Sequence, residues 1–258
     1  MQKNLYYRQV LRRRNVLLET IQDFFLKIAS YPRLLIEVFL RKNFGVRYFS
    51  TSAVIIVGLL LLIYPLMSKG VISIFSRSHV SISHTNLLAD FGLWYLFAFA
   101  FLYFGYRRWL EVRRNPSVFD FAKVSVYAGD IHPFFYQFKI GDRSFSIRSI
   151  EIYLEAATFF ITGLLLWAIG QSLGTLFVIA SVCYSISYGA TYKKGDDFCM
   201  DMIDDIIFNE EKYKSFVMDA GPENARGCRF YMNKPTDLSE REKLANAMVV
   251  MDEISYVS

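Results

Sequence analysis

Four stretches of the chain, 49–67, 87–106, 153–170 and 173–191, are almost unbroken in apolar residues. Each approaches the ~20 residues that a helix rising ~1.5 Å per residue needs to cross ~30 Å of hydrocarbon, so the pattern predicts four transmembrane helices. The first stretch begins near residue 49 with no small-residue cleavage pattern behind it, which marks a retained span rather than a secretory signal. An outer loop at 68–86 separates the first pair, and little more than "GQSLG" at 170–174 separates the second. The spans therefore pair as two hairpins, 49–106 and 151–191.

Outside the spans the periodicity changes. Within residues 1–48, Tyr6, Val10, Leu11, Leu17, Leu18, Ile21, Phe24, Phe25 and Ile28 recur at three- and four-residue spacing and share one arc of a helical wheel, with Arg8, Arg12 and Arg13 off it. This predicts an amphipathic helix of about seven turns. "SYPRLLIEVFLRKNFG" reads as a second, shorter helix, with Pro32 at its first turn and Gly45 just beyond its end. Its density of Leu, Ile, Val and Phe suits either the headgroup zone or packing against the protein's own cytoplasmic parts.

In 107–150, "VFDFAKVSVYAGD" and "FFYQFKIGDRSFSIR" alternate large with small or polar residues, and Gly141-Asp142 separates two runs as a tight hairpin turn would. A small β unit of three short strands is expected, packed on the tail, the N-terminal helices or another subunit, because such strands are marginal alone. The tail, 192–258, returns to helical spacing. Phe198, Met202, Ile206, Tyr213 and Phe216 gather opposite Asp197, Asp201, Asp204 and Asp205, and a last helix starts at an Asp237 or Ser239 cap with Leu238, Leu244, Met248 and Met251 on its apolar face. The fold class is thus a mainly α membrane protein.

Composition agrees: 53% hydrophobic residues and a mean hydropathy of +0.26 are high for a soluble protein. The net charge of +5 is unevenly spread, with ten Lys and Arg against three acids in 1–50 and nine against fourteen in 193–258. Basic residues flank the spans on one side only: Arg33, Arg41, Lys42 and Arg47 before the first; Arg107, Arg108, Arg113 and Arg114 after the second; Arg143 and Arg148 before the third; Lys193 and Lys194 after the fourth. Only Lys69 and Arg77 lie in the opposite loops, so both termini and the central loop are expected in the cytoplasm. The basic front suits anionic lipid headgroups, and direct nucleic-acid binding is not expected because no recognised module accompanies it.

The stretch "GDDFCMDMIDD" poses the main chemical question. Asp196, Asp197 and Asp201 fit DDxxxD, a spacing by which carboxylates gather Mg²⁺ around a diphosphate, but the companion motifs of membrane prenyltransferases and CDP-alcohol phosphotransferases are missing. The opposed apolar stripe favours a solvated or partner-facing acidic surface at Asp197, Asp201, Asp204 and Asp205. Glu151 and Glu155 are four apart at the entry to the third span, and Glu155 is the candidate intramembrane acid, to be weighed against an interfacial carboxylate paired with Arg148 or Lys194. Asp90 is a weaker case of the same kind. Ser181, Ser185 and Gly189 form a small-xxx-small face for helix packing beside a stripe of Tyr184, Tyr188 and Tyr192, and Gly163, Gly170 and Gly174 add small residues across the tight hairpin.

Cys183, Cys199 and Cys228 lack zinc spacing, and His79, His84 and His132 lack ligand or catalytic spacing. No nucleophile elbow, nucleotide loop or dinucleotide fingerprint is present, so no cofactor is expected.

Two stretches carry a resemblance: "YPRLLIEVFLRKNFGVRYFS", and "SIRSIEIYLEAATFFITGLLLWAIGQSLG" running into "YSISYGATYKKGDDFCMDMIDDIIFNEE". Together they resemble uncharacterised multipass inner-membrane proteins carried by bacterial plasmids and conjugative elements. The resemblance implies a bacterial inner membrane and, by association, a role in DNA transfer or its regulation. Three functions are then open: a non-enzymatic scaffold recruiting partners on the cytoplasmic face, with homo-oligomers allowed; a transporter or channel subunit using Glu155; or a Mg-dependent membrane lipid enzyme using Asp196, Asp197 and Asp201.

Overall fold

Helices form along all four apolar runs in the computed structural model, which describes residues 16–75, 87–113, 123–140 and 143–246. In chain order the helices are α1 (Val16–Leu40), α2 (Thr51–Phe75), α3 (Leu87–Val112), α4 (Ile147–Ala168, with a π-helical turn at Ile150–Leu154), α5 (Ser172–Lys212, closing in a π-helical turn at Tyr213–Val217) and α6 (238–246). Two of them, Ile147–Ala168 and Ser172–Val217, are long and apolar enough to cross a membrane, and Thr51–Met67 is a shorter apolar stretch. Tyr6, Val10, Leu11 and Arg8, Arg12 and Arg13, the loop residues Arg77, His79 and His84, Arg114, the Gly141-Asp142 turn, and Met248 and Met251 lie outside the described residues. The described residues divide into two compact units, Thr20–Tyr192 and a second that takes 193–246 with 16–19.

In the first unit one buried cluster draws side chains from all five helices, among them Ile36 and Val38 of α1, Leu61 of α2, Phe101 of α3, Ala156 of α4 and Ala180 of α5. The second half of α1 is therefore core. Sequence periodicity predicts two helices meeting near Pro32; instead α1 runs through it. A helix-interior proline costs ~3 kcal/mol because it lacks an N–H and its ring presses on the preceding turn. Burial of Leu34, Leu35, Ile36 and Val38, each worth ~1.5–3 kcal/mol, outweighs that. The helix ends at Leu40 rather than near Gly45, and Asn43 turns the chain at a φ of 57°. Its C-terminal carbonyl at Val38 accepts Arg108 Nε at 3.2 Å, and just beyond the helix Lys42 O accepts Asp130 N at 2.7 Å.

The central loop is less β-like than its alternation predicts. The ladder flanking 141–142 holds two residue pairs, Lys139 with Ser144 and Ile140 with Arg143. Upstream, Pro133–Gln137 is a 3₁₀ turn, because Pro133 offers no ladder donor and the His132 ring accepts Phe134 N. The 125–130 segment instead bonds the chain just after α1, with Gly45 N to Tyr127 O and Arg47 N to Ser125 O both at 2.8 Å. A Cβ at Gly45 would sit 2.4 Å from Ser125 O, so only glycine permits this approach. Hydrogen bonds from Tyr127 and Asn43 hold the Asp130 carboxyl below its ordinary range, and the bond to Asp130 pushes the Tyr127 hydroxyl up to about 12.

Pro65 inside α2 leaves the Leu61 carbonyl without its i+4 donor, and Trp94 Nε1 of α3 fills the vacancy at 2.7 Å. Trp94→Phe is expected to lower stability by about 1 kcal/mol beyond the loss of ring area. In a Pro65→Ala background, where residue 65 supplies its own N–H, that extra loss should vanish in a double-mutant cycle followed by thermal unfolding in detergent. An unchanged loss would mean that the indole bond contributes nothing.

In the second unit α5 continues past Lys193-Lys194 and through "GDDFCMDMIDD" without a break. Its end packs Phe216 and Val217 on Phe230 and Ala245 of the following loop and α6. Arg226 pairs with Glu210 and Glu211, and Lys234 and Arg241 converge on Asp219. Asp237 Oδ1 accepts Ser239 N at 3.1 Å at the start of α6.

Candidate functional site

Within the first unit, three charged and hydroxyl-bearing helix faces meet in a largely buried region. Each arises from four-residue spacing: Arg33, Glu37 and Arg41 on α1, Glu151 and Glu155 on α4, Tyr184, Tyr188 and Tyr192 on α5. Arg41 and Glu155 are both 0% exposed and Glu37 is 2% exposed, which for charged groups demands full pairing.

That demand is met. Arg41 Nε lies 3.2 and 3.3 Å from the two Glu155 oxygens, and its Nη2 bonds Glu155 Oε2. Arg41 Nη1 lies 3.1 Å from Glu151 Oε1, so one guanidinium bridges both acids of α4. Tyr184 Oη donates to Glu155 at 2.5 Å, and Tyr192 Oη donates to Glu151. One turn and more along α1, Glu37 Oε1 accepts from Tyr48 Oη at 2.6 Å and Tyr188 Oη at 2.7 Å, and pairs with Arg33 Nε at 3.0 Å. Arg33 also reaches Ser187 Oγ and Tyr48 Oη, both at 2.9 Å.

The Tyr188 ring joins the two halves, with the Arg41 guanidinium 4.4 Å and that of Arg33 5.1 Å from its centroid. Two guanidinium groups thus face three carboxylates, and four tyrosine hydroxyls supply the other donors. Burial, reinforced by the negative charge of Glu37, lifts the Tyr48 hydroxyl above its ordinary range and keeps it a donor.

The acid singled out in the sequence is therefore central, but its partners are not those the local sequence suggests. Glu155 pairs with Arg41, 114 residues back, and with Tyr184 rather than with Arg148 or Lys194. The Arg148 guanidinium instead lies 5.2 Å from the centroid of the Tyr192 ring. The missed signal is a run of charges four apart: Arg33 and Arg41 flank the apolar stretch 34–40 and Glu37 interrupts it.

On the small-residue face, Ser181 is buried and donates to Val178 O of its own helix, and Ser185 is half-buried. A Cβ added at Gly189 would meet nothing within 4 Å. Among the glycines, Gly163 and Gly174 are the ones at which the α4 and α5 backbones leave no room for a Cβ.

In the second unit Asp197 and Asp204 are exposed, while Asp201 and Asp205 are half-buried. Among the described residues no group of three or more His, Cys, Asp or Glu side chains is arranged to hold a metal ion. The stripe opposite the aspartates is itself open: Phe198, Ile206 and Tyr213 are exposed, and burial starts only at Phe216. Comparison with known protein families, curated proteins and solved structures finds no match for the chain.

Proposed function

We propose that this chain is a non-enzymatic, multi-pass protein of the bacterial inner membrane, anchored by four spans, α2 to α5. Both termini and the central loop face the cytoplasm, where they recruit partners. The observation that carries the reading is an inverted distribution of polarity. Outward side chains such as Ile56, Leu60, Leu96, Phe99, Leu165 and Ile179 are more than half exposed, whereas Arg41, Glu37 and Glu155 are sealed inside. A water-exposed apolar surface of that extent is unfavourable, whereas hydrocarbon solvates it.

Exposed aromatic groups at the helix ends, Trp167 on α4 and Tyr103 and Tyr106 on α3, suit the two headgroup zones. The pairing of Glu155 supports anchoring over ion translocation, because the charge of this fully buried carboxylate is already balanced by a guanidinium and a phenol donor. A role in a transfer or secretion assembly rests on the resemblance to plasmid-borne membrane proteins alone.

A reporter inserted after residue 75 and another after residue 220 are expected in opposite compartments, and a photocrosslinker at Asp197 or Asp204 is expected to trap a protein partner in native membranes. Reporters active on one side would remove the topology. A chain that crosslinks to nothing from either position, in correctly oriented membranes, would remove the platform.

A further inference from the structure

A cavity of about 610 Å³ opens between α1, α3, α4, α5 and the turn Pro133–Gln137, within the size range of ligand sites. Its walls are largely aromatic: Phe39, Phe97, Phe134, Phe135, Phe159 and Phe177. Its hydroxyls are already engaged, since Thr158 Oγ1 donates to Glu155 O at 2.8 Å and Thr162 Oγ1 to Thr158 O at 2.7 Å. The lumen therefore offers an occupant no hydroxyl donor and rejects polar ligands, whose own groups would be buried unpaired.

One polar atom remains at the mouth. His132 Nδ1 accepts Phe134 N, which leaves Nε2–H as the ring's donor toward an oxygen of the occupant. The turn beside it turns Phe134 and Tyr136 outward, each about half exposed, as groups at a membrane–water boundary do.

We infer that this cavity takes one acyl chain of a membrane phospholipid, with the ester or phosphate oxygens of the lipid at His132. The inference rests on reading α3, α4 and α5 as membrane spans, because the bilayer supplies the ligand. A rim donor beside a lumen with no spare donor matches a ligand that is polar at one end and hydrocarbon along its length.

The full chain would be reconstituted in phosphatidylethanolamine and phosphatidylglycerol vesicles containing a trace of phosphatidylglycerol with a diazirine in its acyl chain. Photolabel is expected to concentrate on peptides 131–139 and 156–162 over the outward face of α2. Thr158→Trp and, separately, Thr162→Trp fill the lumen from one wall. Excluding two or more methylenes should lower labelling there by about tenfold while circular dichroism stays unchanged.

His132→Ala should weaken labelling by the phospholipid but not by a diazirine-bearing alkane without any oxygen, which separates a held headgroup from a merely greasy hole. With reporters after 75 and 220 in opposite compartments, even labelling of all spans, or labelling unaffected by both tryptophans in folded protein, overturns the site. Loss of His132 without effect on the phospholipid overturns the headgroup assignment. Reporters in one compartment overturn the membrane reading first, whatever the label does.

Discussion

Arg41→Met is expected to destabilise the protein by about 3–5 kcal/mol, the range for removing one partner of a buried ion pair. Methionine keeps the length and apolar bulk of the stem, so the loss isolates the guanidinium. Without it Glu155 stays fully buried, with only the Tyr184 hydroxyl as donor, and Glu151 loses its cation as well. Arg41→Lys should recover little, because a single ammonium cannot bridge two carboxylates as the planar fork does.

The informative variant is the double one, Arg41→Met with Glu155→Met. Replacing both charges with apolar groups of similar size is often neutral, so most of the lost stability should return, the remainder reflecting Tyr184 and Glu151 left short of partners. Thermal unfolding in detergent and steady-state level in membranes are the measurements. A loss below about 1 kcal/mol for Arg41→Met would place the pair in the class of solvent-screened surface bridges and remove the cluster as the link between α1 and the α4–α5 hairpin.

This cluster also shows where the sequence can and cannot be read. Apolar periodicity is a local signal, and the four runs map onto helices: 49–67 onto α2 from Thr51 on, 87–106 onto α3, which kinks at Phe91 (φ −119°, ψ 15°), 153–170 onto α4 and the following turn, 173–191 onto α5. Helix ends are less legible, because α5 runs on to Lys212 where the composition turns acidic at Asp196 but nothing breaks the backbone.

Pairing across the fold is not legible from one element at a time. Glu155 has basic residues nearby in sequence at Arg148 and on the next helix at Lys194, yet its cation comes from α1, because packing and not spacing decides which helices touch. The charge stripe Arg33, Glu37, Arg41 and the tyrosine stripe on α5 are both visible as four-residue repeats. What periodicity leaves out is that the phenols are donors to acids on other helices, so the stripe that reads as packing is also half of a polar network.

The same distinction governs the small residues. Gly174→Ala is expected to cost about 3 kcal/mol, the upper end for an added methyl in a packed interface, and to loosen α4 from α5. The new Cβ would lie 2.3 Å from Trp167 N, 2.6 Å from Gly163 O and 2.8 Å from Trp167 Cα. All three are backbone atoms of α4, so no rotamer change relieves the clash and the hairpin itself must open. Gly163→Ala meets Val178 N and Phe177 Cβ at 2.9 Å and should act in the same direction with smaller size.

Gly189→Ala is the matched control on the same helix, with nothing within 4 Å of its Cβ, and the better helix propensity of alanine should stabilise by up to ~1 kcal/mol. Thermal unfolding of the three variants in detergent, and the labelling of a cysteine placed at Ser185, separate the cases. A Gly174→Ala loss below about 1 kcal/mol would mean that the two backbones do not touch at the turn. A Gly189→Ala loss in membranes but not in dilute detergent would mean that a second copy or another membrane protein packs on the Ser181–Ser185–Gly189 face, which a single chain leaves open at its glycine.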